Sequence, residues 1–173
     1  MRTIETKLYK FNELPEDIKE KALDNMRHLN IHDKWWDFLE EDMSEINLKL
    51  DSFDIDRGSF CKLEFIDSAE STAHLIETNH GESCDTFIET KLYLKDRDKL
   101  INNWPKDENN DLDNVYELDQ ELDELDSDYL KEIQSCYLIT LRKEYEYLSS
   151  DESIKENIEC NEYEFTKEGG VHV

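Results

Sequence analysis

The sequence predicts an α+β fold, in which an antiparallel β-sheet of about four strands packs against a helical hairpin and a long C-terminal helix. Apolar residues recur at helical spacing near both ends of the chain, and three segments alternate like strands. The 7 Phe, 8 Tyr and 3 Trp residues, with only 4 Gly and 2 Pro, favour a folded core over disorder. We expect a single acidic α+β domain over residues 1–173, in which residues 105–127 are an acidic segment that can be flexible.

The first elements are a strand and two helices. Residues 3–11 alternate as a strand does, and Pro15 then suits the first turn of a helix. A second helix begins near Asp33, a residue type that favours the N-cap position. Its apolar stripe consists of Trp36, Leu39, Met43, Ile46 and Leu50. The short link between the two helices predicts a helical hairpin.

The middle of the chain is predicted to be a β-meander. Residues 60–66 alternate after a turn signal at residues 56–58, and residues 84–94 alternate again. Residues 72–78 fit a short helix or a strand equally well. Residues 96–104 could form a short helix that ends before Pro105.

The C-terminal third is predicted to be mostly helical. Half of the 22 residues from 107 to 128 are acidic and none is basic, yet three leucines within this window have helical spacing. Residues 128–148 give the clearest helical pattern of the chain. Ser149 and Glu152 form a capping-box pattern for a further short helix, and residues 162–166 favour a strand.

The charge balance limits the classes of partner. The chain has 20 Lys and Arg against 45 Asp and Glu, so its formal net charge is −25 at pH 7. Such a chain is repelled by phosphate backbones and by anionic lipid, so we expect no direct nucleic-acid binding and no membrane binding. With no apolar run of transmembrane length and no apolar signal core, we expect an intracellular location and reduced cysteines.

The residues do not point to an enzyme. Four of them, Cys61, His74, His80 and Cys84, lie in the β-region without a familiar zinc spacing, so we expect no metal and no cofactor. His80 and Cys84 together suggest a base and a nucleophile, but they lie in a turn without a third group to orient them. Packing and turn roles are therefore favoured, and we expect no catalytic residues.

Rows of carboxylates on helices are the strongest functional signal. Acidic residues three or four positions apart lie about 5–6 Å apart on a helix surface, a scale comparable to the charge spacing of nucleic acid. Such a row can enter a groove that binds phosphates, although a solubilising surface explains the same pattern equally well. The candidate partner-binding residues are Asp37, Glu40, Glu41, Glu45, Glu117, Glu121, Glu124 and Asp128, together with Trp35, whose ring can be partly exposed.

Both ends of the chain resemble small phage and prophage proteins that begin with a strand and a YKFDEL-x-EEAKEKA helix. The similar segments, which lie towards the two ends of the chain, are YKFNEL at 9–14, EDIKEKA at 16–22, WWDF at 35–38 with ED at 41–42, YEYLSSDE at 145–152 and NEYEFT at 161–166. The glycine- and tryptophan-rich middle segment often found in those proteins is missing. The resemblance implies a phage or prophage gene product with a cytoplasmic location in a bacterial host. Some of the similar proteins are labelled antitoxins, and the resemblance implies no catalytic residues.

These observations lead to one leading hypothesis and two alternatives. We expect a non-enzymatic, phage-encoded anti-defence inhibitor that binds a basic host nucleic-acid-handling protein, for example a CRISPR or restriction effector, and blocks its DNA or RNA site by polyanion mimicry. The first alternative is an antitoxin-like or assembly protein that binds through an apolar patch around Trp35. The second is an enzyme or metal protein that uses His80 and Cys84. The sequence leaves the oligomeric state open.

Overall fold

The computed structural model describes residues 6–32, 34–109 and 111–172, which form two compact units. The first unit combines the residues up to Trp35 with those from Arg142 onward, and the second runs from Trp36 to Leu141. Each unit contains helices and a small antiparallel sheet, so the chain is broadly α+β. Asp33 and residues 1–5 lie outside the described residues, and the single-domain expectation stays a prediction.

Eleven helices and strands make up the described part of the chain. In order they are β1 (Tyr9–Lys10), α1 (Glu16–Asn25), α2 (Asp37–Glu45), β2 (Leu48–Asp54), β3 (Phe60–Phe65), α3 (Ala69–Asn79), α4 (Asp85–Asn103), α5 (Val115–Leu148), α6 (Asp151–Cys160), β4 (Glu164–Phe165) and β5 (Val171–His172). A 3₁₀ turn at Phe11–Glu13 follows β1.

The first unit is built on a three-stranded antiparallel sheet with the order β1-β4-β5. Phe165 at its centre is fully buried and pairs with Tyr9 on one side and Val171 on the other. Helices α1 and α6 pack together beside it. The core is completed by Phe11, Leu14, Ala22, Leu23, Met26, Ile154 and Ile158.

A side-chain network around Asn30 holds the first unit together. The Asn30 amide donates to the Leu148 carbonyl at 3.2 Å and to the Ser153 hydroxyl at 2.8 Å, and its oxygen accepts from the Asn157 amide at 2.7 Å. The cap of α6 is Ser150, whose hydroxyl accepts from the Ser153 amide, in place of the predicted Ser149. The loop after α1 is thereby tied to the end of α5 and to α6.

The second unit begins with α2, which packs against the hairpin formed by β2 and β3. Asn47 has a φ of 60° between α2 and β2, a left-handed conformation that ends the helix. The hairpin changes register between Leu50 and Ser52. Leu48 and Leu63 are buried while Lys49 and Glu64 are exposed, so one face of the hairpin contributes to the core.

Aromatic stacking joins α4 to α5 in this unit. The Tyr93 and Tyr129 rings stack with their centroids 4.1 Å apart, and the Tyr129 hydroxyl and Thr90 share a buried hydrogen bond of 2.7 Å. The Tyr93 hydroxyl donates to Asp126 at 2.7 Å. These contacts fix the pairing of α4 with the first half of α5, because stacking and buried hydrogen bonds both depend on geometry.

The predicted sheet of about four strands is wrong in its central element. Of the predicted strand 84–94, residues 85–94 belong to α4 and Cys84 is its N-cap, and residues 72–78, for which the sequence allows a helix or a strand, belong to α3. The polar positions Glu89, Lys91 and Lys95 suit a helix as well as a strand, and the helix buries Thr90 and Tyr93 on one side. The strands therefore form two small sheets rather than one meander.

The helical hairpin and the long C-terminal helix also differ from expectation. The second helix ends at Glu45, so Leu50 lies in β2, and α2 packs on β2 while α1 packs on α6. The helix predicted for 128–148 begins earlier, at Val115, and therefore includes residues 115–127 of the acidic segment. It is followed by α6 and two short strands.

Candidate functional site

The first half of α5 carries the acidic row that the sequence indicated. Glu117, Glu121, Glu124 and Asp128 follow one another at steps of four, three and four residues, which places them along one face of the helix. All four side chains are exposed. The apolar side of the same turns is anchored by Leu118, which is buried. The packing of α5 thus directs the carboxylates outward.

This row forms one wall of a groove whose other wall is the C-terminal half of α4. The groove has a volume of about 590 Å³. Its apolar surface comes from Leu100, Trp104 and Leu125. Its charged lining is Asp96, Lys99, Glu121, Glu124 and Asp128. A second depression of about 380 Å³ shares Trp104, Glu121 and Glu124 with it and extends it to Glu117 and Asp123. We call the two together the acidic groove.

Trp104 is held in place by a compact loop. Its backbone caps the end of α4, and its indole N–H donates to the Asp113 carbonyl at 2.7 Å. The Asp113 amide in turn donates to the Pro105 carbonyl at 2.9 Å, and the Asp107 carboxylate accepts from two amides of its own loop. The indole is therefore oriented by backbone hydrogen bonds before any partner arrives.

The lining of the acidic groove is strongly negative. Among the described residues that line it, six are carboxylates and one, Lys99, is a cation. Asp128 also pairs with Lys131 at 2.7 Å, but both side chains are mostly exposed, so this pair contributes little to stability. Carboxylates around an apolar floor match a Lys or Arg side chain, whose aliphatic part is apolar and whose head is charged.

The acidic row of α2 is separate from the groove. Asp37, Glu41 and Glu45 are exposed, whereas Glu40 is half-buried. None of these residues belongs to the described lining of the acidic groove. They form a second acidic face, and substitutions there provide the control for substitutions in the acidic groove.

Trp35 lies in the first unit, just before α2. Its side chain is half-buried, and its ring centroid lies 5.6 Å from that of Tyr145 at a tilted angle. Much of the ring is therefore used in packing. The rest of the ring stays accessible, in line with the partial exposure expected from the sequence.

Comparison with known proteins does not assign the chain to a family. It matches no protein-family model, and neither the curated proteins nor the solved structures contain a significantly similar chain. The resemblance to phage proteins therefore stays a prediction.

Metal-ion clusters and membrane-spanning helices are absent from the described residues. Within residues 6–32, 34–109 and 111–172, no three His, Cys, Asp or Glu side chains are grouped so as to hold a metal ion. No helix in these ranges is both long and apolar enough to cross a bilayer.

Sequence reasoning missed the α4 wall of the groove. The sequence predicts a separate short helix for residues 96–104, whereas Asp96 and Leu100 lie on α4 and Trp104 is its C-cap. A signal was present, because the side of α4 that is buried or half-buried repeats at alternating steps of four and three residues. These positions are Thr86, Thr90, Tyr93, Arg97, Leu100 and Trp104.

Proposed function

We propose that this protein binds a basic, nucleic-acid-handling protein, and that the acidic groove covers the DNA or RNA site of that protein. The observation that carries the proposal is the charge density of the first half of α5. Residues 115–128 contain seven acidic and no basic side chains. This segment spans about 21 Å of the helix axis, which gives one carboxylate per ~3 Å of axis. One strand of B-DNA presents a phosphate about every 3.4 Å of axis.

The groove adds a means of recognition to this charge. A Lys or Arg side chain evolved to contact phosphate can lay its methylene groups on Leu100 and Leu125 and its charged head between Glu121 and Glu124. The face of Trp104 offers a cation–π contact to the same head. An unstructured acidic tail has no such surface, so a folded helix can bind one basic site in preference to others.

A phage-encoded inhibitor of a CRISPR or restriction effector fits this chemistry, since such effectors contact nucleic acid through basic grooves. The protein would then act without catalysis, by excluding DNA or RNA from the effector. This class of partner is supported by the charge of the groove and by the resemblance of both chain ends to phage proteins.

Two variants with equal charge test the proposal. The groove variant is Glu117→Gln/Glu121→Gln/Glu124→Gln, and the control variant, Asp37→Asn/Glu41→Gln/Glu45→Gln, neutralises three carboxylates of α2. Both reduce the net negative charge by three, so their long-range attraction to a basic partner is similar. Tagged wild-type protein captures partners from nuclease-treated host lysate, and mass spectrometry identifies those that a salt gradient releases. Each purified partner is then titrated with the three proteins.

We expect the groove variant to weaken binding by at least about tenfold at low salt, the control variant to have a much smaller effect, and DNA or RNA to compete with the protein. The plot of log affinity against log salt should also become less steep for the groove variant. Equal losses for the two variants, or binding unaffected by competing nucleic acid, would contradict the proposal. A partner lost through Trp35→Ala but retained by the groove variant would instead favour the antitoxin-like alternative.

A further inference from the structure

The outward face of α4 carries two large apolar side chains that the proposed function does not use. Ile88 is 46% exposed, and Leu92, one helical turn later, is 51% exposed. The opposite side of the helix is buried through Thr90 and Tyr93, so packing within the unit directs Ile88 and Leu92 outward. Two such side chains make only a small apolar patch, so the charges around them decide which partner the face fits.

The charged residues on the centre line of this face are sorted by sign along the helix. Asp85 lies seven residues before Leu92, and Lys99 lies seven residues after it. Because seven residues are close to two helical turns, these three side chains share one face, and both charged ones are exposed. Lys95 is also exposed and adds a second positive charge at the C-terminal end, while Asp96 turns towards the acidic groove, which it lines. From its N-terminal end, the centre of the face is therefore acidic, then apolar, then basic.

A groove between α3 and α4 borders this face, and we call it the α3–α4 groove. It has a volume of about 680 Å³, and its apolar lining consists of Leu92 and Leu94. The described lining also contains three carboxylates and three Lys or Arg side chains, so its charges balance. Part of this balance is fixed by the ion pair between Lys91 and Glu77 at 2.7 Å. A balanced groove in a chain of net charge −25 is a place where an equally acidic molecule can approach.

We propose that this face of α4 is a dimer interface, in which the α4 helices of two copies of this chain pack antiparallel about a two-fold axis near Leu92. An antiparallel pair reverses the order of the face, so Asp85 of each copy lies beside Lys99 of the other and the two Leu92 side chains meet. A parallel pair would instead bring like charges together at both ends. The charge order of the face is thus complementary to itself in the antiparallel arrangement alone.

The same register accounts for the α3–α4 groove. Ile88 lies four residues, or about 6 Å of helix axis, before Leu92. In the antiparallel pair it is therefore level with the turn between Leu94 and Asp98 of the other copy, two residues that line the α3–α4 groove. Each Ile88 side chain can enter the groove of the other copy, as ridges enter grooves where helices pack. The area covered is small, and the net charge of −25 on each copy opposes association, so the dimer should be weak at low salt and tighter at high salt.

Sedimentation equilibrium of the purified, reduced protein up to about 1 mM, at low salt and in 0.5 M NaCl, tests the interface without any other protein. We expect a dimer whose dissociation constant falls at least about tenfold from low to high salt. In 0.5 M NaCl, Ile88→Gln/Leu92→Gln should raise this constant at least about tenfold. Ile139→Gln, which changes a 43% exposed residue of α5, should leave it unchanged. A monomer at both salt concentrations, or a dimer that the two variants affect equally, would overturn the proposal.

Charge reversal tests the antiparallel register. Asp85→Lys and Lys99→Asp each bring like charges together in the proposed dimer, whereas Asp85→Lys/Lys99→Asp restores opposite charges and keeps the net charge at −25. At 0.15 M NaCl we expect each single reversal to raise the dissociation constant about threefold and the double variant to return close to the wild-type value. Asp85→Lys makes the chain less negative, so overall repulsion alone would strengthen its dimer. Losses that add up in a double variant shown to be folded by circular dichroism would refute this packing.

Discussion

Neutralising the middle of the acidic row should make the protein more stable while it weakens partner binding. The double variant Glu121→Gln/Glu124→Gln is the most informative change, because every like-charge neighbour pair of the row contains one of these two residues. The pairs are 117 with 121, 121 with 124, and 124 with 128. Glu117, in the first turn of α5, keeps its favourable interaction with the helix dipole.

The size of the effect follows from the number of pairs. A like-charge pair three or four residues apart destabilises a helix by about 0.2–0.5 kcal/mol. Removing three such pairs should therefore raise the free energy of unfolding by about 0.6–1.5 kcal/mol at low ionic strength. Gln and Glu have similar helix propensities, so the exchange itself adds little. In 0.5 M salt, where exposed charges are screened within a few ångströms, most of the gain should disappear.

Urea denaturation followed by circular dichroism measures this difference, since urea leaves the ionic strength unchanged. Glu117→Gln is the matched control: it removes one repulsive pair but also a charge that the helix N-terminus favours, so we expect no gain. A double variant that is less stable than the wild type, or a gain that persists in 0.5 M salt, would refute the reasoning. Carboxylates on this row would then be held by favourable local interactions.

The remaining predictions concern hydrogen bonds and buried groups within the two units. Tyr129→Phe should lower the free energy of unfolding by about 1 kcal/mol, because the hydrogen bond to Thr90 is lost; an unchanged urea midpoint would contradict this. Burial raises the pKa of Tyr129 to about 12. The stability that the neutral phenol contributes is therefore complete below about pH 10 and is lost as the pH rises towards 12. Alkaline titration at 295 nm of the wild type and of Tyr129→Phe should show this difference. The His80 ring, followed by the Tyr137 hydroxyl, holds the pKa of Asp42 below its usual value. The stability that ionised Asp42 contributes is therefore present above the usual pKa and is lost as the pH falls through the lowered one. The destabilisation caused by Asp42→Asn should accordingly shrink as the pH falls below about 4, and a constant difference would argue against this cause. Asn30→Ala should cost about 1–3 kcal/mol, because three hydrogen bonds within the first unit are lost; a cost below 0.5 kcal/mol in thermal or urea unfolding would show that water replaces the network.

The sequence was most informative where one periodicity dominates. Residues 128–148 bury Tyr129, Ile133 and Tyr137 at helical spacing and have no competing pattern, and the helix found there agrees with the prediction. The exposed groups of the acidic row could be named for the same reason, because helical geometry alone places Glu117 to Asp128 on one face.

Competing periodicities explain the errors. Thr86, Ile88, Thr90 and Leu92 alternate as in a strand, yet Ile88 and Leu92 are exposed on α4. The apolar spacing that predicts the second helix continues past Glu45, because the apolar residues of β2 have the same spacing by chance. The placement of distant residues side by side depends on how helices pack and has no local signature. Examples are Asp42 beside His80, and Trp104 and Glu121 along one groove.

The position of the acidic row on α5 has a physical reason that bears on its function. The row lies in the N-terminal half of α5, where Glu117 in the first turn is favoured by the helix dipole, and the basic residues Arg142 and Lys143 lie in the C-terminal half. The stacked Tyr93 and Tyr129 rings then pin that half against α4, so the carboxylates are presented on a supported helix. Seven acids therefore lie within four turns, beside an oriented indole. Under the proposed function, a basic site built for a nucleic-acid strand recognises this concentration of charge.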